Sequence, residues 1–185
     1  MIDKIYNAAE EKMKKALEST KAELAKIRTG KASTALLDGI RVNYYGAMVP
    51  IKQVASVSTP EVRLITVQPW EKGVIGEIEK AILKSDLGLN PVNDGHLIRI
   101  PIPPLTEERR HDLVRLSKKL GEEGRVAIRN ARRDANEALK KAEKNHETSE
   151  DDSHRAMDDV QELTDDYIEK IDEVLKKKEE EIMEV

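Results

Sequence analysis

The chain is 185 residues long, with a hydrophobic share of 38%, a charged share of 37% and a formal net charge of −4. One Trp, four Tyr and no Phe amid so much charge suit long, surface-rich helices better than a thick core, in one ordinary domain or two small ones. The absence of Cys excludes a disulfide framework, a thiolate nucleophile and a cysteine metal site.

Residues 2–28 place Ile2, Tyr6, Ala9, Met13, Leu17, Leu24 and Ile27 at helical spacing, with Lys26 and Arg28 expected in the last turn and Gly30 beyond it. The opening stretch is charged from its third residue, and no apolar run approaches the roughly 20 residues that cross a bilayer. The chain is therefore expected to be a soluble cytoplasmic protein without a membrane partner.

Residues 30–105 read differently. GIRVNYYG alternates Ile40, Val42 and Tyr44 as a strand; EVRLITVQ alternates Val62, Leu64 and Thr66 as another. GVIGEIEKAILKS carries Val74, Ile78, Ala81 and Ile82 on one helical face. DLGLNPVNDG is turn chemistry, and LIRIPIPP predicts a last strand through Ile98, Ile100 and Ile102, with Pro101 confining it to an edge or an end. This is a small β/α/β domain inserted between two helices.

A second long helix begins at PPLTEERR, where Thr106 is a suitable N-cap and Glu107 and Glu108 sit at the positive end of the helix dipole. Its predicted apolar stripe is Leu113, Leu116, Leu120, Ala127, Ile128, Ala131, Ala135, Ala138 and Ala142, with Gly121 and Gly124 read as close-packing positions. The polar HETSEDD interrupts the pattern, and Thr148 or Ser149 caps a third helix carrying Ala156, Val160, Leu163, Tyr167, Ile171, Val174, Leu175 and Ile182. Each stripe is one-sided, so the three helices must pack together. The expected fold class is α+β: an elongated three-helix bundle from residues 1–29 and 106–185, with residues 30–105 inserted.

Charge is uneven along the chain. Residues 106–149 carry twelve Lys/Arg against nine Asp/Glu, and residues 150–185 carry five against fifteen. On the second helix Lys118, Arg125, Arg129, Arg132 and Lys140 fall within a sector of about 80°, near Arg133, with Glu122 among them. The expectation is a solvent-facing ridge roughly opposite the apolar stripe. Arginine forks match phosphate oxygens, and without aromatic residues between them they suit the phosphates of folded RNA better than single strands. A salt-bridged helix face remains the alternative reading.

RTGKAS, residues 28–33, only imitates a nucleotide loop: Ala25 stands where a glycine is needed and Ala32 where Ser or Thr is needed. His96, His111, His146 and His154 share no metal-ligand spacing and read as surface residues. No catalytic pair, metal or cofactor is expected.

Taken in order, RTGKAS, DGIRVNYYG, DLGLNP, PPLTEERR, RVAIRNARRDAN, SEDD and DDVQELTDDY resemble the ribosome recycling factor family over essentially the whole chain. The resemblance implies an L-shaped monomer whose bundle lies against large-subunit ribosomal RNA in the post-termination ribosome. It implies elongation factor G as the partner and GTP hydrolysis by that partner as the driving reaction. It also implies that Arg125, Arg129, Arg132 and Arg133 form the main RNA-contacting group, with Arg110, Arg28 and Lys118 as further candidates. A hinge is expected where the chain crosses between domains, at Gly30 and at Pro101, Pro103, Pro104 and Leu105. The competing reading is a helical-bundle adaptor or chaperone that grips a protein partner.

Overall fold

The structure is a computed structural model and describes residues 1–184. The first long helix, α1 (Ile2–Ala25), buries Ala9, Met13, Leu17, Thr20 and Leu24 along one line. It stops three residues earlier than its periodicity predicts. The Ile27 amide bonds the Leu24 carbonyl at 3.1 Å, tightening the end, so Lys26 is the cap and Arg28 lies outside the helix.

Residues 29–105 form a compact unit of their own. Strands β1 (Arg41–Tyr44) and β2 (Ala47–Pro50) make a hairpin. Its two-residue turn puts Tyr45 at φ 50° and Gly46 at φ 92°, a twist that matches the flanking strands. The Asn43 side chain secures it by accepting the Gly46 amide at 2.9 Å. Strands β3 (Ala55–Glu61) and β4 (Leu64–Pro69) precede helix α2 (Ile75–Lys84), and β5 (Val92–Asn93) and β6 (Ile98–Pro101) follow it. The second sheet is antiparallel in the order β3-β4-β6-β5, with Ile65 opposite Ile100 and Val67 opposite Ile98. Those four side chains join Val42, Ile51, Ile78 and Ile82 in the core.

One expectation for this unit fails on physical grounds, and strands β2, β3 and β5 are not anticipated by the sequence pattern. In β4 the inward residues are Ile65 and Val67, one step out of phase with Val62, Leu64 and Thr66. Val62 is in the β3–β4 turn, and the Thr66 hydroxyl meets the Ser58 hydroxyl at 2.6 Å. A one-residue phase change reverses every side chain, and the phase adopted buries the apolar Ile65 and Val67 where the other would bury Thr66. Strand β3 escapes prediction because, of ASVSTPE, only Ala55 is buried.

Helix α3 (Glu107–Lys144) and helix α4 (Glu150–Met183) complete the other unit, residues 1–28 with 106–185. The Thr106 hydroxyl accepts the Arg109 amide at 3.1 Å, and the Ser149 hydroxyl accepts the Asp152 amide at 3.1 Å, satisfying both N-termini. Ser149, not Thr148, is the cap of α4. The buried line of α3 is Leu113, Ser117, Gly121, Gly124, Ile128, Ala131, Ala135, Leu139 and Ala142. Leu116 and Ala127, expected in it, are exposed.

Glycine in that line is a packing device. A Cβ on Gly121 would stand 2.8 Å from Leu175 Cδ2, and one on Gly124 would stand 2.7 Å from Ile171 Cδ1 and collide with Thr20 Oγ1. The core between the helices is built from Met13, Leu17, Ile128, Leu163, Tyr167 and Ile171 at one level and Ala9, Ala135, Leu139, Ala156 and Val160 at the next. Three of the buried hydroxyls of the bundle bond their own helix, Thr20 to the Ala16 carbonyl, Ser117 to Leu113 and Thr164 to Val160, at 2.7–2.9 Å, whereas the buried Ser153 hydroxyl has no hydrogen-bond partner. No described helix is long and apolar enough to cross a membrane.

Candidate nucleic-acid interface

The arginines of α3 do converge, but not on the side of the helix opposite the core. Helical geometry puts Arg125, Arg129, Arg132, Lys118 and Lys140 about 100° round from the buried line, on the flank next to α4. The flank is a seam rather than a free ridge because α3 has neighbours on two sides. At the other side Lys12 of α1 pairs with Asp134 at 3.0 Å.

Contacts across the seam correct the expectation that every one of these arginines faces solvent. Arg125 is only 20% exposed at its side chain. Its Nε donates to Asp172 Oδ1 of α4 at 2.8 Å, a terminal nitrogen lies 2.7 Å from the same oxygen, and another donates to Glu122 Oε2 at 3.0 Å. Burial acts to lower its pKa, but the bonds from Asp172 and Glu122 outweigh it and raise the value further. Arg125 is thus a clamp between α3 and α4 with little of its fork left over.

Arg129 and Arg132 are less occupied. Arg129 donates to Glu122 Oε1 at 3.1 Å, and Arg132 to Gln161 Oε1 at 3.2 Å, while Gln161 in turn donates to Asp165 at 2.9 Å. Each keeps most of its N–H donors for another acceptor. Arg133, Lys118 and Lys140 are exposed on or beside the same flank. Glu122 receives hydrogen bonds from Arg125 and Arg129, which hold its carboxyl below the usual carboxylate range.

The other predicted residues lie elsewhere. Arg110 is about five turns before Ile128 and on the same line, so it belongs to the buried side of α3; its Nε is buried with no hydrogen-bond partner. Arg28 is exposed beyond the end of α1. Among the proposed hinge residues, Gly30 has φ 77°, and a Cβ there would approach Leu105 Cγ to 3.2 Å. Pro101 ends β6, and Pro103 and Pro104 are exposed in the extended segment that follows.

The RTGKAS segment is no phosphate cradle. Its Ala32 amide bonds the Val62 carbonyl at 2.6 Å, and Ser33 caps a short helical turn over Thr34–Leu37. The four histidines are exposed, and among the described residues no group of three or more side chains could hold a metal ion.

Sequence reasoning missed Asp172 and Gln161. Both look like members of a solvated acidic and polar face until the register between α3 and α4 is known, and no single-sequence signal supplies that register.

A family model described as ribosome recycling factor matches residues 20–183. The chain belongs to the ribosome recycling factor family. Among its curated relatives, the ribosome-recycling factor of Nitratidesulfovibrio vulgaris is 58% identical over 184 residues, covering 100% of this chain and 99% of that protein. The ribosome-recycling factor of a Geobacillus species is 58% identical over 185 residues, covering 100% of both. A solution structure of a ribosome recycling factor matches at TM-score 0.75 and 48% identity, covering 100% of this chain and 98% of that one. A second match, at TM-score 0.63 and 48% identity with both chains covered in full, comes from models of the T. thermophilus ribosome recycling factor and the E. coli elongation factor G bound to the E. coli post-termination complex. Membership in the ribosome recycling factor family extends over both compact units, not the bundle alone.

Proposed function

We propose that this chain binds the post-termination ribosome through the α4-side flank of α3. With elongation factor G and GTP it then promotes subunit separation and release of mRNA and tRNA. The observation that carries the binding surface is the placement of Arg129 and Arg132 side by side on that flank, each with most of its fork unspent. Arginine forks with unspent donors are matched to phosphate oxygens. Arg133 and Lys118 extend the surface, Arg125 supports it from beneath, and Arg110 and Arg28 lie off it.

The reading is of a non-enzymatic, cytoplasmic, monomeric factor. It has no nucleotide loop, so the partner supplies the hydrolysis and this chain converts it into displacement. The crossings at Gly30 and at Pro101–Leu105 are the proposed hinge: glycine supplies a left-handed turn on one, and prolines stiffen the other.

Light scattering on purified post-termination complexes tests this reading. Scattering should fall when the chain, elongation factor G and GTP are added together, and more slowly with Arg132→Ala. No fall with any of these mixtures overturns the reading. Partner binding that ignores nuclease treatment and responds weakly to salt would favour the adaptor alternative.

A further inference from the structure

Glu122 is an unexpected occupant of a phosphate-binding flank. Its two carboxylate oxygens are divided between two arginines of the same helix, Oε2 to Arg125 at 3.0 Å and Oε1 to Arg129 at 3.1 Å. Arg125 is held in turn by Asp172 on α4. An anion that presents one oxygen to each of two guanidinium groups is what a backbone phosphate, with its two non-bridging oxygens, would also supply there. We propose that Glu122 is a specificity-determining residue of this interface, an internal stand-in for phosphate that incoming RNA must displace from Arg129. The inference rests on the α3 flank being the RNA-binding surface, as proposed above.

Two opposite effects are open to such a residue. It could orient Arg129 and so strengthen binding, or it could compete with phosphate and weaken it. Exposure and connectivity decide. The Glu122 side chain is 54% exposed and that of Arg129 is 43% exposed, so the pair is solvated and orders Arg129 only weakly. The carboxylate nevertheless keeps a full negative charge beside the incoming phosphates, because the two arginines hold it ionised. Competition therefore outweighs orientation. Arg125 differs, since Asp172 holds it whether Glu122 is present or not.

Selectivity follows from the same geometry. A bare RNA duplex is not shaped to the flank and reaches fewer of its basic residues at once, so competition from Glu122 at Arg129 costs it a larger share of its contacts. A folded site complementary to the whole flank also engages Arg132, Arg133 and Lys118, so it tolerates the competition. Glu122 thus lowers affinity everywhere but lowers it most for non-cognate RNA. A factor that must leave after each round is served by both effects.

The test compares the parent chain with Glu122→Gln, Glu123→Gln and Arg132→Ala. Glu123 follows Glu122 but is turned about 100° away, so its variant makes the same charge change off the flank. Binding to purified large ribosomal subunits and to a plain duplex RNA is titrated over a salt series. Glu122→Gln should bind subunits about three- to tenfold more tightly at moderate salt, with a log–log salt slope steeper by up to about one. It should bind the plain duplex with a larger gain still, while Glu123→Gln changes neither by more than about twofold. If Glu122→Gln binds no more tightly than the parent while Arg132→Ala binds more weakly, the flank is the interface and Glu122 is not its brake. Equal gains from Glu122→Gln and Glu123→Gln would reduce the effect to net charge and overturn the inference too. If Arg132→Ala leaves binding unchanged, the underlying surface assignment has failed instead.

Discussion

Gly124 of α3 faces Thr20 of α1 with no room for a methyl group between them: a Cβ on the glycine would collide with Thr20 Oγ1. Thr20 is buried, and its hydroxyl is committed to the Ala16 carbonyl at 2.8 Å. The glycine is a helix-breaking residue by propensity, costing about 1 kcal/mol relative to alanine. It is retained here because three helices approach closely at this level.

Gly124→Ala should therefore destabilise the bundle by about 1–3 kcal/mol, overpacking outweighing the gain in helix propensity. Ile171 Cδ1 is 2.7 Å from the new methyl on the other side and is itself fully buried, so neither neighbour can retreat easily. Urea denaturation followed by far-ultraviolet circular dichroism measures the change. A variant as stable as the parent would show that the helices can separate at this level.

Gly121→Ala should cost clearly less than Gly124→Ala. The atoms nearest its methyl all belong to Leu175, and the one tight contact, Cδ2 at 2.8 Å, is the far end of a flexible side chain. Rotation of that leucine relieves the contact, and the propensity gain then brings the change to within about 1 kcal/mol of neutral. The same denaturation experiment, run on both variants, checks the order.

Arg125→Ala should lower stability by about 0.5–1.5 kcal/mol, because the side chain is largely covered and ties α3 to Asp172 of α4. Arg132→Ala should stay within about 0.5 kcal/mol of the parent, since it loses one bond to Gln161. Thermal unfolding of the two variants separates the clamp from the contact residue. Equal effects would mean that Arg125 contributes no more to the seam than its neighbour.

Asp94 gives the small unit an acid-sensitive turn. Its carboxylate accepts the His96 amide at 2.9 Å and the Leu97 amide at 2.8 Å, and pairs with Arg99 at 2.6 Å. These bonds pull its pKa from 3.8 down to about 2, the backbone amides of His96 and Leu97 contributing most. A depressed pKa in the folded state stabilises at pH above the unfolded value, and the contribution fades as pH falls from about 4 towards 2. The methyl signals of Ile98 and Ile100 on the adjoining strand should therefore report a steeper loss of thermal stability between pH 4 and pH 2 in the parent than in Asp94→Asn. Parallel curves would show that the turn titrates unperturbed.

The long helices were legible because their stripes repeat over many turns and their caps, Thr106 and Ser149, are of the expected kind. Gly121 and Gly124 were legible as close-packing positions for the same reason: small residues inside a long stripe have few other uses. Short strands carry less information. Glu61–Pro69 supports two phases over so few residues, and the one adopted buries Ile65 and Val67 while Thr66 meets Ser58 across the hairpin. The basic residues of α3 could be grouped by angle, but their position relative to the core could not. The buried line shifts when Leu116 and Ala127 leave it and Ser117 and Leu139 enter, turning the arginines from the back of the helix to the α4 seam. Glu122 was visible in the same sector only as a dilution of positive charge. Its division between two arginines needed side-chain geometry.

The central claim is that Arg129 and Arg132 are phosphate-contacting residues of a ribosome-binding flank. Its most direct test is the salt dependence of binding to purified large ribosomal subunits, measured by co-sedimentation. The double variant Arg129→Ala/Arg132→Ala is compared with Lys14→Ala/Lys15→Ala, which removes the same charge from exposed positions on α1. The arginine variant should bind at least about tenfold more weakly at moderate salt, with a log–log slope shallower by about two, while the lysine variant keeps the parental slope. Parental affinity and slope in the arginine variant would contradict the account.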